Sequence, residues 1–458
     1  MREMVALGMD RLARFVAELP DAPIHRMDGA HKLARALRED LPEEGVSYRR
    51  LLGQLFERVL PFGLNTAGPG YLAYIPGGGL FHSAVADLLT GATNRYVGLW
   101  QAAPGLVQIE SNVVRWFCTM VGLPAGSGGL LTTGGSLANL AAVVAARHDR
   151  LGERFDDGVI YTSELVHHSV DKAARVAGFR ADQVRKIPID ADFRMSASAV
   201  AAAVADDRAA GRRPAILVAS AGTTATGAVD PLPELAELCR REGLWLHVDA
   251  AYGGFFALTT RGRAALRGIE AADSVTLDPH KGLFLPYGTG CVLVRELDTL
   301  RRAHQVAASY LPDPTTDPDC WDFADLGPEL SRDMRGLRVW LPLKMHGARG
   351  FRAALDEKLD LAADAAARLA ALPEIEIVTG PTLSLFAFRV RAETPEAADA
   401  ATRRLARKVS ERGRVLLTGV EIRGRWLLRV CVLSFRTHEA HITWLIDDVT
   451  EALASARA

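Results

Sequence analysis

Two short stretches of this 458-residue chain place ionisable side chains where chemistry becomes possible. Asp278-Pro-His-Lys281 follows the apolar run Ser274–Leu277, so Lys281 stands at a strand end among apolar neighbours. Burial penalises an ammonium and lowers its pKa, and condensation with an aldehyde removes the cation altogether, so such a lysine suits Schiff-base chemistry. Taken alone, it reads first as a lysine snorkelling from a strand end, and other residues must decide. Asp249, in His247-Val-Asp-Ala-Ala251, lies near the end of a second apolar run, where an unpaired carboxylate is costly to bury. It wants a cationic partner. A protonated heterocyclic nitrogen is one, and capping of the next turn is the alternative.

Two further stretches could bind rather than react. Leu131-Thr-Thr-Gly-Gly-Ser-Leu-Ala-Asn139 runs into a helical pattern, so the Gly135 amide, the Ser136 hydroxyl and the positive helix end converge on one anion-binding point. It is neither G-x-x-x-x-G-K-[ST] nor G-x-G-x-x-G, so nucleotide binding is not specifically indicated, and Gly-Gly-Ser can be simply a cap. His167 and His168 stand at a helix entrance after the run Gly158–Ser163, where an imidazole could stack on a flat ring. No third His, Cys or carboxylate follows at metal-site spacing, so no metal is expected.

The elements that must position these groups form an alternation. Short apolar runs at 158–163, 214–220, 245–251, 274–277 and 290–295 are separated by helical patterns at 136–155, 168–178 and 232–242. That predicts an α/β domain with a mostly parallel sheet covered on both faces, whose ligands sit at the carboxyl ends of the strands. A helical region at 345–371 leads into strand, strand, helix, strand, strand over 374–433, a small α+β domain. Between them, Gln305–Asp325 is rich in Pro and Asp and lacks periodicity, which reads as a long mobile loop. At the N-terminus, Val5, Met9, Leu12, Val16 and Leu19 mark one face of an amphipathic helix in need of a partner surface.

Composition narrows the class. With 49% hydrophobic and 24% charged residues, the chain has the make-up of a soluble globular protein. A net charge of -1 argues against a nucleic-acid or membrane-surface binder, and no apolar run reaches the ~20 residues of a bilayer span. Glu3 and Asp10 interrupt any signal-peptide core, and five scattered cysteines indicate neither a disulfide framework nor a zinc cluster. A cytoplasmic location is expected.

An anion-binding helix start, a ring-stacking candidate, a buried carboxylate and a strand-end lysine are the parts needed to hold pyridoxal 5'-phosphate. The order and wording of these segments resemble the pyridoxal-phosphate-dependent group II amino-acid decarboxylases, the aromatic L-amino-acid decarboxylase group, from Ala73-Tyr-Ile-Pro76 to Leu428-Arg-Val-Cys-Val-Leu-Ser-Phe-Arg436. The resemblance implies fold type I with a seven-stranded sheet, and three parts: an N-terminal segment (1–80) packed on a dimer partner, a cofactor domain (81–345) and a small C-terminal domain (346–458). It further implies that Lys281 forms the Schiff base, Asp249 pairs with the ring nitrogen, and His167 and Ala251 cover the ring faces. Gly135 and Ser136 would hold the phosphate, Thr224 the hydroxyl side, and His280 would stand beside the lysine. Asp278 occupies a position where some members have Asn, with its contact left open between phosphate, backbone and water. Tyr310, in Ala308-Ser-Tyr-Leu311, matches the loop tyrosine that returns a proton to the substrate's α-carbon, where related aldehyde synthases carry Phe.

Tyr74, Ile75, Pro76 and Trp100 correspond to pocket segments suited to an aromatic substrate, whereas Arg95 could grip the second carboxylate of an acidic one. Gly77 stands where aromatic-specific relatives often have Thr. The expected activity is α-decarboxylation of an L-amino acid to its amine and carbon dioxide, by a homodimer with shared sites. Decarboxylation of an acidic amino acid, aldehyde synthesis or transamination, and cofactor binding without turnover are the alternatives.

Overall fold

Seven runs, each too short for a stable helix, pair edge to edge instead. They are Gly128–Thr132 (β1), Gly158–Ser163 (β2), Val184–Ile187 (β3), Arg213–Ser220 (β4), Trp245–Asp249 (β5), Ser274–Leu277 (β6) and Gly290–Val294 (β7), in the spatial order β1-β7-β6-β5-β4-β2-β3. The pairs from β3 through β6 are parallel, and β7 runs antiparallel to both β1 and β6. Strands β1, β2, β5, β6 and β7 are buried along their whole length, as a sheet covered on both faces requires. The five expected strands are present within one or two residues. β1 and β3 are additional.

The computed structural model describes residues 1–306, 317 and 319–457. The chain divides into two compact units: Gly79–Ala363 with Val378–Ala387, which holds the sheet, and Met1–Gly78 with Asp364–Ile377 and Phe388–Ala458.

In the sheet unit, Gly135–Leu151 (α1) and His168–Val176 (α2) are the part of the helical cover that frames the site, and Pro104–Val121, Ala197–Ala209 and Leu232–Glu242 pack on the strands as well. Val143, Ala146, Val170 and Ala174 pack with Ile160, Ile216 and Val218 into one buried cluster, and the alanines of α1 let the helix approach the strands closely. Gly134 starts α1 with φ 155° and ψ 169°, backbone that is essentially confined to glycine. Arg335–Ala370 (α3) begins ten residues before the expected helix, and Gly347 interrupts it at φ 66°, ψ 161°. The break hid the first segment, because the periodic pattern restarts there.

In the other unit, the N-terminal helix Arg2–Glu18 forms as expected, with Met4, Val5, Met9, Leu12 and Val16 between 37% and 52% exposed and Leu19 buried. The C-terminal strands Ile375–Thr382 (β8), Leu385–Val390 (β9), Thr418–Ile422 (β10) and Arg425–Cys431 (β11) make a four-stranded sheet in the order β8-β9-β11-β10, with residues 378–387 of the β8–β9 hairpin counted in the first unit and the rest in the second. Together with the helices Pro395–Glu411 and Glu439–Arg457 this is the small α+β part. Among the described residues, no helix is long and apolar enough to cross a membrane.

Candidate active site

The carboxyl ends of β4, β5 and β6 and the starts of α1 and α2 open onto one cavity of about 280 Å³. All nine residues expected to bind the cofactor line it: Gly135, Ser136, His167, Thr224, Asp249, Ala251, Asp278, His280 and Lys281. They come from five separate stretches of sequence, and the parallel strands gather them because each chain crossing ends on the same side of the sheet.

Lys281 Nζ lies 2.8 Å from Asp278 Oδ2, and the Asp278 side chain is 4% exposed. The other carboxylate oxygen, Oδ1, is buried with no hydrogen-bond partner. Of the contacts left open for Asp278, the structure thus shows another one, to the lysine itself. His280 donates from Nδ1 to the Thr289 carbonyl at 2.6 Å, which leaves the lone pair on Nε2, and burial holds its pKa below the ordinary value.

Asp249 is 8% exposed and accepts from the Ala251 amide at 3.1 Å and from Asn139 Nδ2 at 3.0 Å. Both donors are neutral, so the carboxylate keeps its charge available for a cation. His167 caps α2, its Nδ1 receiving the Ser169 amide at 3.3 Å and lying 2.7 Å from Ser169 Oγ. Burial lowers its pKa, while Asp249 raises it and Lys281 and His168 lower it further, so the imidazole feels both ionic groups of the site.

No side chain caps α1, whose first residues, Gly135, Ser136 and Leu137, line the cavity. A Cβ on Gly135 would come within 2.9 Å of Asp278 Oδ2 and 3.3 Å of the Ala251 Cβ, so glycine here keeps the cradle open. An uncapped helix start, a carboxylate with only neutral donors, a lysine and an imidazole suit a phosphate-bearing pyridine aldehyde.

Sequence reasoning passed over other lining residues, among them Asn139, Ser169, Ser220, Thr223 and Tyr252. Asn139 had a signal, an amide amid the alanines of an apolar helix face, and it is 1% exposed. Arg95 is exposed and, like Trp100, is not among the lining residues of this cavity. Tyr74, Ile75 and Pro76 belong to the other unit, where Tyr74 is 54% exposed and Ile75 is buried. Tyr310 lies outside the described residues.

A family model described as the pyridoxal-dependent decarboxylase conserved domain matches residues 30–391. An aromatic-L-amino-acid decarboxylase of Bacillus atrophaeus is 35% identical over 441 residues, covering 95% of this chain and 92% of its own. The crystal structure of Oryza sativa TDC with PLP and tryptamine superposes with a TM-score of 0.95 at 25% identity, covering 99% of this chain and 98% of that one. The structure of Rhodiola rosea 4-hydroxyphenylacetaldehyde synthase does so with a TM-score of 0.92 at 25% identity, covering 98% and 97%.

Proposed function

The chain belongs to the pyridoxal-dependent decarboxylase family, and from that premise we propose that it converts an aromatic L-amino acid to the corresponding amine and carbon dioxide. Pyridoxal 5'-phosphate supplies the electron sink for the carboxylate-bearing carbon. The carrying observation is the convergence of Lys281, Asp249, His167 and the uncapped α1 start on one cavity. Lys281 would hold the aldehyde carbon, Asp249 the ring nitrogen, and Gly135 with Ser136 the phosphate. Thr224 would face the ring hydroxyl, with His167 and Ala251 on the two ring faces and His280 beside the lysine.

The chain's own contributions are orientation and charge. A buried carboxylate supported by neutral donors favours a protonated ring nitrogen, and a fixed substrate geometry can lower a barrier by about 7–11 kcal/mol. Asp278 stands ready to take part in the proton balance at Lys281. Tyr310 would return the proton to the α-carbon, which favours amine over aldehyde as product. Tyr74, Ile75, Pro76 and Trp100 are the proposed substrate wall.

The proposed organisation is a cytoplasmic homodimer of three-part protomers (1–80, 81–345, 346–458) with shared sites. Support for the dimer comes from the apolar stripe of Met4, Val5, Met9, Leu12 and Val16 that the N-terminal helix presents to solvent. Light scattering that finds an active monomer would remove that part.

The deciding experiment is Lys281→Ala with a panel of aromatic, acidic and basic L-amino acids, following carbon dioxide, ammonia and peroxide. The expected outcome is wild-type carbon dioxide release on aromatic substrates, and loss of both visible imine absorbance and activity in the variant. Retention of both would overturn the assignment, and ammonia with peroxide from wild type would move it to aldehyde synthesis.

A further inference from the structure

Behind the cavity, a chain of buried polar side chains crosses the sheet face under α1. Trp245, His247 and Asp249 alternate along β5 and therefore project to one side, beside Ser274 of β6. Trp245 Nε1 lies 2.8 Å from Ser274 Oγ, which lies 2.8 Å from His247 Nδ1. His247 Nε2 lies 3.0 Å from Asn139 Oδ1. Asn139 Nδ2 then reaches Asp249 Oδ2 at 3.0 Å and Ser169 Oγ at 2.9 Å, and Ser169 Oγ reaches His167 Nδ1.

The carboxylate end, together with a neutral His247, orders the donors along this chain. Indole Nε1 can only donate and a carboxylate can only accept. Asn139 must therefore turn its amino group to Asp249 and its carbonyl to His247, so His247 carries its proton on Nε2 and takes the Ser274 hydroxyl proton at Nδ1. The second Asn139 N–H goes to Ser169 Oγ, and because the Ser169 amide donates to His167 Nδ1, that nitrogen is an acceptor and takes the Ser169 hydroxyl proton as well. His167 is left as the Nε2–H tautomer. His247 is completely buried, and burial holds its pKa down to about 4, so it stays neutral in this role.

Resting on the assignment of Lys281 and Asp249 above, we propose that Asn139 is the positioning residue that joins the two cofactor-facing groups. It clamps the Asp249 carboxylate for the ring nitrogen and, through Ser169, sets the tautomer and orientation of the stacking His167. His247 acts one step further back, by fixing which way the Asn139 amide points.

The test uses the full-length protein. Removing a hydrogen bond to a charged group should weaken pyridoxal phosphate binding by about ten- to hundredfold in Asn139→Ala, read by absorbance titration of the cofactor-free protein. It should lower kcat more than it raises KM. Nitrogen-15 NMR should report His167 as Nε2–H in wild type and in Ser169→Thr, and lose that single tautomer in Ser169→Ala. If Asn139→Ala does not fold, the pair His247→Gln and His247→Leu decides. Gln keeps a donor for Asn139 and should recover most of the cofactor affinity that Leu loses. Unchanged affinity and tautomer in the folded variants, with wild type and Lys281→Ala behaving as proposed, would overturn this inference alone. Absence of imine absorbance in wild type would instead remove the function it rests on.

Discussion

Glu110 and Arg332 form an ion pair at 2.6 Å with both side chains 0% exposed. Arg332 Nη2 also donates to the Leu131 carbonyl at 2.9 Å, tying the pair to the end of β1 just before the Thr133–Ser136 stretch of the cavity. Its guanidinium lies over the Phe323 ring at 4.7 Å, but Nε, Nη1 and Glu110 Oε2 have no hydrogen-bond partner. Two unit charges about 4 Å apart attract by about 4 kcal/mol at an effective dielectric constant of about 20. Desolvation offsets much of this while both are present, so the cost is exposed only when one partner is removed. Arg332→Leu should therefore cost about 3–5 kcal/mol, by taking the directly bonded counter-charge from a buried carboxylate and leaving it only the more distant Arg335. Glu110→Leu/Arg332→Leu should recover at least half of that loss, since neither charge then remains to be desolvated. Equilibrium urea unfolding of the cofactor-saturated proteins measures both, and absorbance titration reports whether the loosened β1 end weakens cofactor binding. A single-variant cost below about 1 kcal/mol, or a double variant as damaged as the sum of the singles, would refute the reasoning.

Burial pushes the His247 imidazole from 6.5 down to about 4, so its neutral form stabilises the fold above pH 6.5 and that contribution is lost as pH falls through about 4. The loss over that window is about 3 kcal/mol, and His247→Gln should make acid unfolding correspondingly less steep in a pH series of urea midpoints. Tyr310→Phe should cut amine formation and raise ammonia and peroxide from the same substrate; unchanged products would remove the proton-return role proposed for this tyrosine.

The sheet was legible where strands are apolar throughout. β1 escaped because Gly128 and Gly129 dilute its apolar character, and β3 because its sequence Val-Arg-Lys-Ile puts charges on a partly exposed strand at the sheet edge. The reactive residues were legible only together: a strand-end lysine, a strand-end aspartate and a Gly-Gly-Ser helix start are each ordinary alone, and their order along the chain carried the site. The supporting network was not, since Asn139, Ser169 and Ser274 acquire meaning only when α1, α2 and β6 come together. His247 did carry a signal, a polar side chain two residues before Asp249 on the same strand face, but alternation alone does not name its partner.

The line of side chains from Trp245 to Asp249 has an indole at one terminus and an acid anion at the other, so it has only one sense. Reversing it would require an indole nitrogen to accept and an amide to surrender its hydrogen, and neither happens at ordinary pH. It therefore braces the pocket without conducting along its own length, and the hydrogens along this line should be among the slowest in the molecule to exchange with deuterium.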